Sequence, residues 1–296
     1  MKSNVNLLRL LKVIPLIFLG GCSALGVINS VSKIYTVETK QNIAFDAHPK
    51  LQYDLYYPKS KNTNLKETPV IVFFYGGSWN RGDKSEYEFV GRRLASMGYI
   101  IAVPNYRLYP EVKYPEFLED NIKAVKAIQS EIKKTEYAPL KPAQKFIMMG
   151  HSAGAYNAAM LAFDPTWASK IQSDKNALIK GFIGMAGAYN IYPIKDTEVQ
   201  PVFHHPDYPP QSQPIQFTDQ TQPPSLILSP ETDTLVSIER NSQTLHDALS
   251  KTGNTSAIKS IEGTDHVTLI ATLSPLLFFK GSSTEPIKEF VDNLHR

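Results

Sequence analysis

Apolar residues along the chain follow patterns that predict a series of β-strands. Leu51, Tyr53, Leu55 and Tyr57 alternate with polar residues, which is typical of a half-buried strand. Residues 70–75 form a continuous apolar run of β-forming side chains, which predicts a strand buried on both faces of a parallel sheet. Comparable runs predict further strands at residues 100–103, 146–149, 181–187, 225–229 and 257–261.

Helical spacing of apolar residues predicts helices between these strands. In residues 117–135, for example, Ile122, Val125, Ile128 and Ile132 form one stripe. Further helices are predicted at residues 86–96, 153–163, 238–251 and 286–294. Strands that alternate with helices predict an α/β fold, in which an open, mostly parallel sheet is covered by helices on both faces. In such a sheet, ligands bind beyond the carboxyl ends of the strands.

Residues 193–224 do not fit this alternation. The segment contains eight prolines and the adjacent pair His204 and His205, and so much proline excludes long regular elements. A long irregular insert after a central strand is usually functional, which favours a cap that lines a pocket. A packed surface excursion is the alternative.

Residues 1–21 have the pattern of an export signal. Basic residues precede a short apolar core at residues 13–19, which is too short to span a bilayer. Two glycines and Cys22 follow, and they resemble a bacterial lipobox, in which the chain is cut before the cysteine and its thiol is lipidated. The alternative is a plain signal peptide or an uncleaved anchor, in which Cys22 has no role.

These features predict an exported lipoprotein of the cell envelope, held to the membrane at Cys22 and facing the periplasm. Ser23 after the cysteine would, by the same resemblance, permit sorting to the outer membrane. Residues 22–45 are expected to form a tether with an edge strand, and residues 46–296 one α/β domain. Cys22 is the only cysteine, so no disulfide is expected.

The charge balance argues against nucleic acid as a partner. The chain has 31 basic and 28 acidic residues, but residues 1–21 hold three of the basic ones and no acid. The remainder therefore has no net charge, and no basic run stands out.

The chemistry is organised around residues 150–154, Gly-His-Ser-Ala-Gly, which end a predicted strand and begin a predicted helix. This G-x-S-x-G pattern predicts a nucleophile elbow, a sharp turn that presents the hydroxyl of Ser152. The glycines leave room for a strained backbone and close packing. The N–H of Ala153, at the start of the helix, is expected to stabilise an oxygen that becomes negative.

A serine nucleophile needs a base, and the base needs an acid that orients it. In folds with this elbow the chain order is serine, acid, histidine. Asp233 follows the predicted strand 225–229 and is the expected acid, with Glu231 as the alternative. His266 follows the last predicted strand and is the expected base.

The loop after predicted strand 70–75 supplies the second part of an expected oxyanion hole. Its Gly-Gly-Ser sequence lets the backbone N–H groups of Gly77 and Ser78 approach a substrate oxygen without obstruction by side chains. Together with Ala153, they are the expected donors. A tight turn is the structural alternative, and the two interpretations are compatible.

Tyr75, Trp79 and Tyr156 are expected to shape the substrate pocket, although aromatic residues at these positions also fit a core. His151 adjoins the serine, and its side chain is expected to point elsewhere. The two histidines of the insert have no carboxylate at a useful spacing, so we expect no metal site.

Together these motifs resemble the α/β-hydrolase esterases, in the branch that includes hormone-sensitive-lipase-like, bacterial carboxylesterase-like and kynurenine-formamidase-like enzymes. The resemblance covers about residues 53–294 and rests on residues 75–79, 105–111, 150–154 and 233–236, and on Gly263 with His266. Two positions differ, because the branch usually has histidine where Tyr75 stands and aspartate where Asn105 stands. Both residues are expected to brace the oxyanion loop.

The resemblance implies a serine hydrolase that cleaves small-molecule carboxylic esters through a Ser152–Asp233–His266 triad and an acyl-enzyme, without a cofactor. Trp79 after the glycines is similar to the formamidase-like members, so hydrolysis of amides or formamides is an alternative. A non-catalytic envelope lipoprotein that binds a ligand is a second alternative, since a fold alone does not define function. The intact triad argues against it.

Overall fold

A computed structural model describes residues 24–171, 178–277 and 281–296. Eight strands of the described residues form one sheet. In chain order they are β1 (Glu38–Ala44), β2 (Gln52–Tyr57), β3 (Thr68–Phe74), β4 (Ile100–Pro104), β5 (Pro142–His151), β6 (Ile179–Met185), β7 (Ser225–Pro230) and β8 (Ser256–Ile261). Across the sheet their order is β1-β2-β4-β3-β5-β6-β7-β8.

The sheet is mostly parallel, as predicted. Strand β2 pairs antiparallel with both β1 and β4, and the other neighbouring strands pair parallel. Helices cover both sides of the sheet. Those that the structure describes are α1 (Ala24–Ser32), α2 (Glu88–Ser96), α3 (Glu116–Glu131), α4 (Ala153–Phe163), α5 (Pro165–Ser169), α6 (Thr244–Lys251), α7 (His266–Ala271) and α8 (Thr284–His295).

The centre of the sheet is its most apolar part. Every residue of β3 is buried, and the second half of β5 is buried as well. Helices on both faces remove the side chains of both strand faces from water, which explains continuous apolar runs rather than alternation. Each Å² of apolar surface removed from water stabilises the fold by about 25 cal/mol, so this core makes the main contribution to the stability of the fold.

The parallel arrangement positions the site. Strands β3, β5, β7 and β8 run in the same direction, so their carboxyl ends meet at one edge of the sheet. The segments that follow these ends contain the predicted site residues: the loop after Phe74, the turn at Ser152, the loop after Pro230 and the turn before His266.

Residues 24–45, which were expected to form a tether, pack against the rest of the domain. Helix α1 packs against α2 and the short 3₁₀ turn Lys84–Tyr87. The side chain of Asn29 donates to the carbonyl of Ser85 at 2.7 Å and accepts from the N–H of Phe89 at 3.0 Å. Strand β1 forms the expected edge strand, and its mostly exposed side chains explain why the apolar pattern is weak there.

The proline-rich insert has no long regular element among its described residues. Two short 3₁₀ turns, Gln200–Phe203 and Pro214–Phe217, interrupt an otherwise irregular path. It packs by aromatic contacts, in which the ring of Phe203 meets Trp79 edge to face with centroids 4.9 Å apart. The insert is therefore joined to the loop that follows β3. None of the helices in the described part of the chain is long and apolar enough to cross a membrane.

Candidate active site

The turn between β5 and α4 holds Ser152 in a strained conformation. Its backbone has φ 54° and ψ −123°, and its N–H donates to the carbonyl of Met185 at 2.9 Å. A positive φ is unusual for a residue with a side chain and marks stored strain. The turn depends on Gly154, because a Cβ atom there would lie 2.0 Å from the carbonyl oxygen of Phe74. This is the geometry that the elbow pattern predicts.

Three predicted residues meet at this turn. Nε2 of His266 lies 2.9 Å from Oγ of Ser152, and Nδ1 of the same ring lies 2.7 Å from Oδ2 of Asp233. These distances place a hydroxyl, an imidazole and a carboxylate in one hydrogen-bonded line. Such a line can move a proton from the hydroxyl to the ring while the carboxylate stabilises the charged ring.

Backbone donors fix Asp233 in its loop. Its Oδ1 accepts from the N–H groups of Leu235 at 2.9 Å and Val236 at 2.8 Å. Burial raises the pKa of the Asp233 carboxyl, but hydrogen bonds from His266 and from these N–H groups outweigh it, so the pKa lies below its ordinary value. The carboxylate therefore stays ionised opposite the imidazole.

The alternative acid, Glu231, lies elsewhere. Its Oε2 accepts from the N–H of Gly263 at 2.7 Å and holds the turn after β8. Asp265 caps α7, because its carboxylate accepts from the N–H groups of Val267 and Thr268. Asp265 is therefore a turn residue, and it fixes the first turn of the helix that begins at His266.

The loop after β3 has the backbone shape that its glycines suggest. Gly77 has φ 126°, and a Cβ atom there would lie 2.2 Å from the carbonyl oxygen of Arg81. Ser78 and Trp79 also have positive φ values, 53° and 57°. In the part of the chain that the structure describes, the N–H groups of Gly77, Ser78 and Ala153 have no hydrogen-bond partner. They are therefore free to donate to a ligand.

Two residues brace this loop from the segment after β4. The hydroxyl of Tyr106 donates to the carbonyl of Tyr75 at 2.8 Å. Asn105 accepts from the N–H of Lys84 and donates to the carboxylate of Asp83, both at 2.8 Å. Asn105 thus fills the bracing role expected of it, although it holds the end of the loop rather than its glycines.

A cavity of about 560 Å³ opens above Ser152. Its size is typical of a small-molecule site. It is lined by Ser78, Trp79, Arg81, Ser152, Ala153, Ala188, Asn190, Ile191, Pro193, Ile194, Lys195, Asp196, Val199, Asp233, Thr234, Leu235, Val236, Ser237, Arg240, Asn241 and His266. The insert thus contributes its first residues to the wall, whereas Gly77 is not part of the lining.

Two of the three predicted pocket residues lie in the core instead. Tyr75 is 1% exposed and stacks between Tyr87 and Tyr106, with ring centroids 5.6 and 4.7 Å away. Tyr156 is fully buried, and its hydroxyl donates to the carbonyl of Ser212 at 2.5 Å. Both side chains belong to the buried apolar core, in which the ring of Tyr156 packs against Trp79 and Phe203. Of the three, Trp79 alone lines the cavity.

Sequence reasoning missed two residues that shape the site. Asn241 accepts, through Oδ1, from the N–H groups of Tyr189 at 2.8 Å and Asn190 at 2.9 Å, and so fixes part of the cavity wall. His151 contacts the backbone of His266 through Nε2. Position beside the serine was a signal for His151, whereas no sequence pattern marks Asn241.

The remaining candidates take no part in this cluster. His204 contacts the carbonyl of Tyr114 at 2.7 Å, and His205 contacts the hydroxyl of Tyr208 at 2.9 Å. Among the described residues, no group of three or more His, Cys, Asp and Glu side chains is arranged to hold a metal ion. Cys22 lies outside the described residues.

The sheet order, the elbow after β5 and the acid and histidine after β7 and β8 define the class as an α/β-hydrolase. A family model described as BD-FAE matches residues 53–249, and the chain belongs to this α/β-hydrolase family. Relatives named as methylesterases and kynurenine formamidases match parts of the chain, and solved structures named as esterases share its fold.

Curated relatives include hydrolases of two kinds. The isoprenylcysteine alpha-carbonyl methylesterase of Arabidopsis thaliana is 29% identical over 170 residues, which are 56% of this chain and 38% of that protein. The kynurenine formamidase of Danio rerio is 24% identical over 229 residues, 74% of this chain and 72% of that protein. The chain thus spans well under half the length of the methylesterase.

Solved structures agree on the fold. Esterase 2 of Thermogutta terrifontis in its apo form has a TM-score of 0.64 at 20% identity. The match covers 87% of this chain and 92% of the esterase chain. A truncated carbohydrate esterase from gut microbiota has a TM-score of 0.70 at 17% identity, with 88% and 96% covered. Identities this low support a shared fold and nothing finer.

Proposed function

We propose that the protein hydrolyses small-molecule carboxylic esters through an acyl-enzyme on Ser152. One observation carries this proposal: the ring of His266 bridges Ser152 at 2.9 Å and Asp233 at 2.7 Å, at the floor of a cavity open to a ligand. The relatives named as methylesterases and esterases support it.

In the first half-reaction, Oγ of Ser152 attacks the ester carbonyl carbon while Nε2 of His266 takes the hydroxyl proton. The carbonyl π electrons move to its oxygen, which becomes an oxyanion. Asp233 holds the ring in the tautomer that leaves Nε2 free to accept, and it stabilises the imidazolium that forms. The intermediate then expels the alkoxide, which receives the proton from Nε2, and an acyl-Ser152 remains.

The oxyanion is held by backbone N–H groups of Ser78 and Ala153, which line the cavity beside Ser152, and by that of Gly77. Each donor is fixed before the reaction begins, so no reorganisation is needed as charge develops. One such donor typically contributes about 10²–10³ in kcat. Ala153 adds the field of the helix N-terminus of α4.

In the second half-reaction, water replaces the alcohol. His266 takes a proton from the water, and the oxygen attacks the acyl carbon to form a second tetrahedral intermediate. Its collapse returns the proton to Oγ of Ser152 and releases the acid. No cofactor takes part in either half-reaction.

Hydrolysis of a p-nitrophenyl ester series of increasing acyl length tests this proposal. We expect turnover by the wild type and a loss of at least about 10³-fold in Ser152→Ala. Ser130→Ala is a matched control, since this serine is exposed on α3 and its hydroxyl donates to the carbonyl of Lys126. A folded wild type without activity on any ester would contradict ester hydrolysis.

Formamide or amide hydrolysis on the same triad is the second candidate. The observation that favours it is the similarity to kynurenine formamidases, which extends over 72–77% of the length of two of them. Phenyl formate and phenyl acetate, set against formanilide and acetanilide, separate the two activities with matched acyl and aryl groups. Faster turnover of the anilides would favour the second candidate.

We also propose export and lipid anchoring at Cys22. The support comes from the signal-like residues 1–21 and the small residues before the cysteine. Labelling with an alkyne palmitate analogue, followed by membrane fractionation, tests this. The wild type should carry the label in the membrane fraction, and Cys22→Ala should be unlabelled. An unlabelled wild type would favour the plain signal peptide.

A further inference from the structure

His151 contacts the catalytic histidine through the backbone. Its Nε2 lies 2.9 Å from the carbonyl oxygen of His266, and the two ring centroids are 5.1 Å apart at an interplanar angle of 47°. His151 is 6% exposed, so this contact is shielded from water. The proposed hydrolysis makes no use of this ring.

The contact defines the tautomer of His151. A carbonyl oxygen accepts hydrogen bonds and cannot donate, so Nε2 of His151 carries the hydrogen and donates to His266. Nδ1 is then left as an unprotonated nitrogen. Nδ1 is buried with no hydrogen-bond partner among the described residues. Gly76 packs so closely against it that a Cβ atom added to Gly76 would lie 3.1 Å from Nδ1.

The ring is also neutral. Burial, and to a smaller extent the charge of a protonated His266, lower the pKa of His151 to about 3. A ring with so low a pKa is too weak a base to take the proton of Ser152. It also places no second positive charge beside His266 when that residue takes its proton.

We propose that His151 is a positioning residue, which fixes the backbone of His266 relative to the nucleophile. The proposal rests on the proposed hydrolysis. His151 and Ser152 are consecutive, so the end of β5 holds His266 at two points: its carbonyl through His151 and its Nε2 through Ser152. Asp233 and the cap at Asp265 hold the ring and the helix start from the other side.

Two-point attachment has a kinetic consequence. During each turnover Nε2 of His266 takes the proton of Ser152 and then gives it to the leaving alcohol. While Nε2 donates to the alcohol its bond to Ser152 is absent, and the bond at the carbonyl keeps the helix start in place. A displacement of about 1 Å between reacting groups lowers rates by about 10²-fold, so loss of this bond should lower kcat.

A matched pair of variants tests the donor. His151→Gln keeps an N–H at a similar reach, and His151→Met has similar length without a donor. We expect kcat of the Met variant to fall about 10- to 100-fold with KM within about twofold, and the Gln variant to retain kcat within about threefold of the wild type. Thermal unfolding of both variants reports whether each is folded, and His151→Leu replaces the Met variant if it is not.

Several outcomes overturn the positioning role. These are wild-type kcat in the Met variant, or equal losses in the Gln and Met variants. An inactive wild type would instead overturn the proposed function and with it this role. An independent measurement uses the wild type: two-bond ¹H–¹⁵N spectra of the seven histidines, assigned with His151→Gln. Protonation of His151 at Nε2 supports the bond, and protonation at Nδ1 contradicts it.

Discussion

Oδ2 of Asp233 lies 2.7 Å from Nδ1 of His266, while Oδ1 of the same carboxylate is held by two backbone N–H groups. The carboxylate therefore cannot rotate without breaking three hydrogen bonds. This fixes both the orientation of the imidazole and the nitrogen that carries its hydrogen. Glu231, two residues earlier, makes no such contact and holds Gly263 instead.

Replacement of this acid tests the assignment. We expect Asp233→Asn to lower kcat by about 10³- to 10⁴-fold, because an amide favours the wrong tautomer of His266 and cannot stabilise its charge. Glu231→Gln is the matched control and should stay within a few-fold of wild-type kcat. Steady-state kinetics on a p-nitrophenyl ester measures both. The reverse result, with the Gln variant inactive and the Asn variant active, would reassign the acid.

The strands and the three residues Ser152, Asp233 and His266 were accessible from the sequence for a physical reason. Strands buried on both faces require unbroken apolar runs, and the chemistry then restricts which residues follow each carboxyl end. Strand β3, predicted at residues 70–75, spans Thr68–Phe74, and α4 was predicted with its observed bounds. Chain order, together with position after the last two predicted strands, indicated Asp233 and His266, with Glu231 left as the alternative acid.

What the sequence did not predict depends on side-chain direction and backbone pairing. Tyr75 and Tyr156 lie within three residues of site residues in the chain, yet their rings pack into the core. An edge strand was expected before β2, but its bounds were not, because the polar strand β1 is held by its ladder with β2 and has little apolar signal. The contact between His151 and His266 joins residues 115 positions apart, and no periodicity encodes it.

The buried neutral state of His151 predicts a pH dependence of stability. The pKa of about 3 in the folded state lies below the value of about 6.5 for an unfolded chain, so unfolding takes up a proton between these values. Stability is therefore highest above about pH 6.5 and falls as the pH decreases from there toward 3. His266 and Asp233 are the charged or titratable groups that act on this ring. Both are present in the wild type and in a His151→Gln variant.

Urea unfolding of the wild type and His151→Gln at pH 7.5 and 4.5 measures how much His151 contributes to the pH dependence of stability. We expect acidification to destabilise the wild type more than the variant, by on the order of 2 kcal/mol. Parallel losses in the two proteins would mean that His151 takes up no proton on unfolding. The comparison requires reversible unfolding at both pH values.

The two tryptophans provide a matched test of the loop after β3. Nε1 of Trp79 donates to Oδ1 of buried Asn157 at 2.9 Å, whereas Nε1 of buried Trp167 has no partner among the described residues. Replacement of either by phenylalanine removes similar volume, but only Trp79→Phe leaves a buried acceptor unpaired. That adds a cost of about 1–3 kcal/mol.

We therefore expect Trp79→Phe to be less stable than Trp167→Phe in urea unfolding. Activity should also separate the two variants, since Trp79 follows Ser78 in the oxyanion loop and lines the cavity. Trp167→Phe should keep wild-type kcat, and Trp79→Phe should lose activity. Equal stability and equal kcat would show that the bond to Asn157 does not hold the loop.

Alanine substitutions at Gly77 and Gly253 distinguish backbone strain from steric obstruction in the loop after β3. Both have positive φ, 126° and 79°, so a side chain at either is strained. A Cβ atom at Gly77 would meet the carbonyl oxygen of Arg81 at 2.2 Å, whereas one at Gly253 would meet nothing within 4 Å.

Gly253→Ala should therefore cost about 1 kcal/mol of stability and leave kcat unchanged. Gly77→Ala must displace the loop that carries the Ser78 N–H and should lower kcat by about 10²-fold or more. Ester kinetics and urea unfolding of both variants measure this, and unchanged kcat in Gly77→Ala would remove the loop from the oxyanion hole.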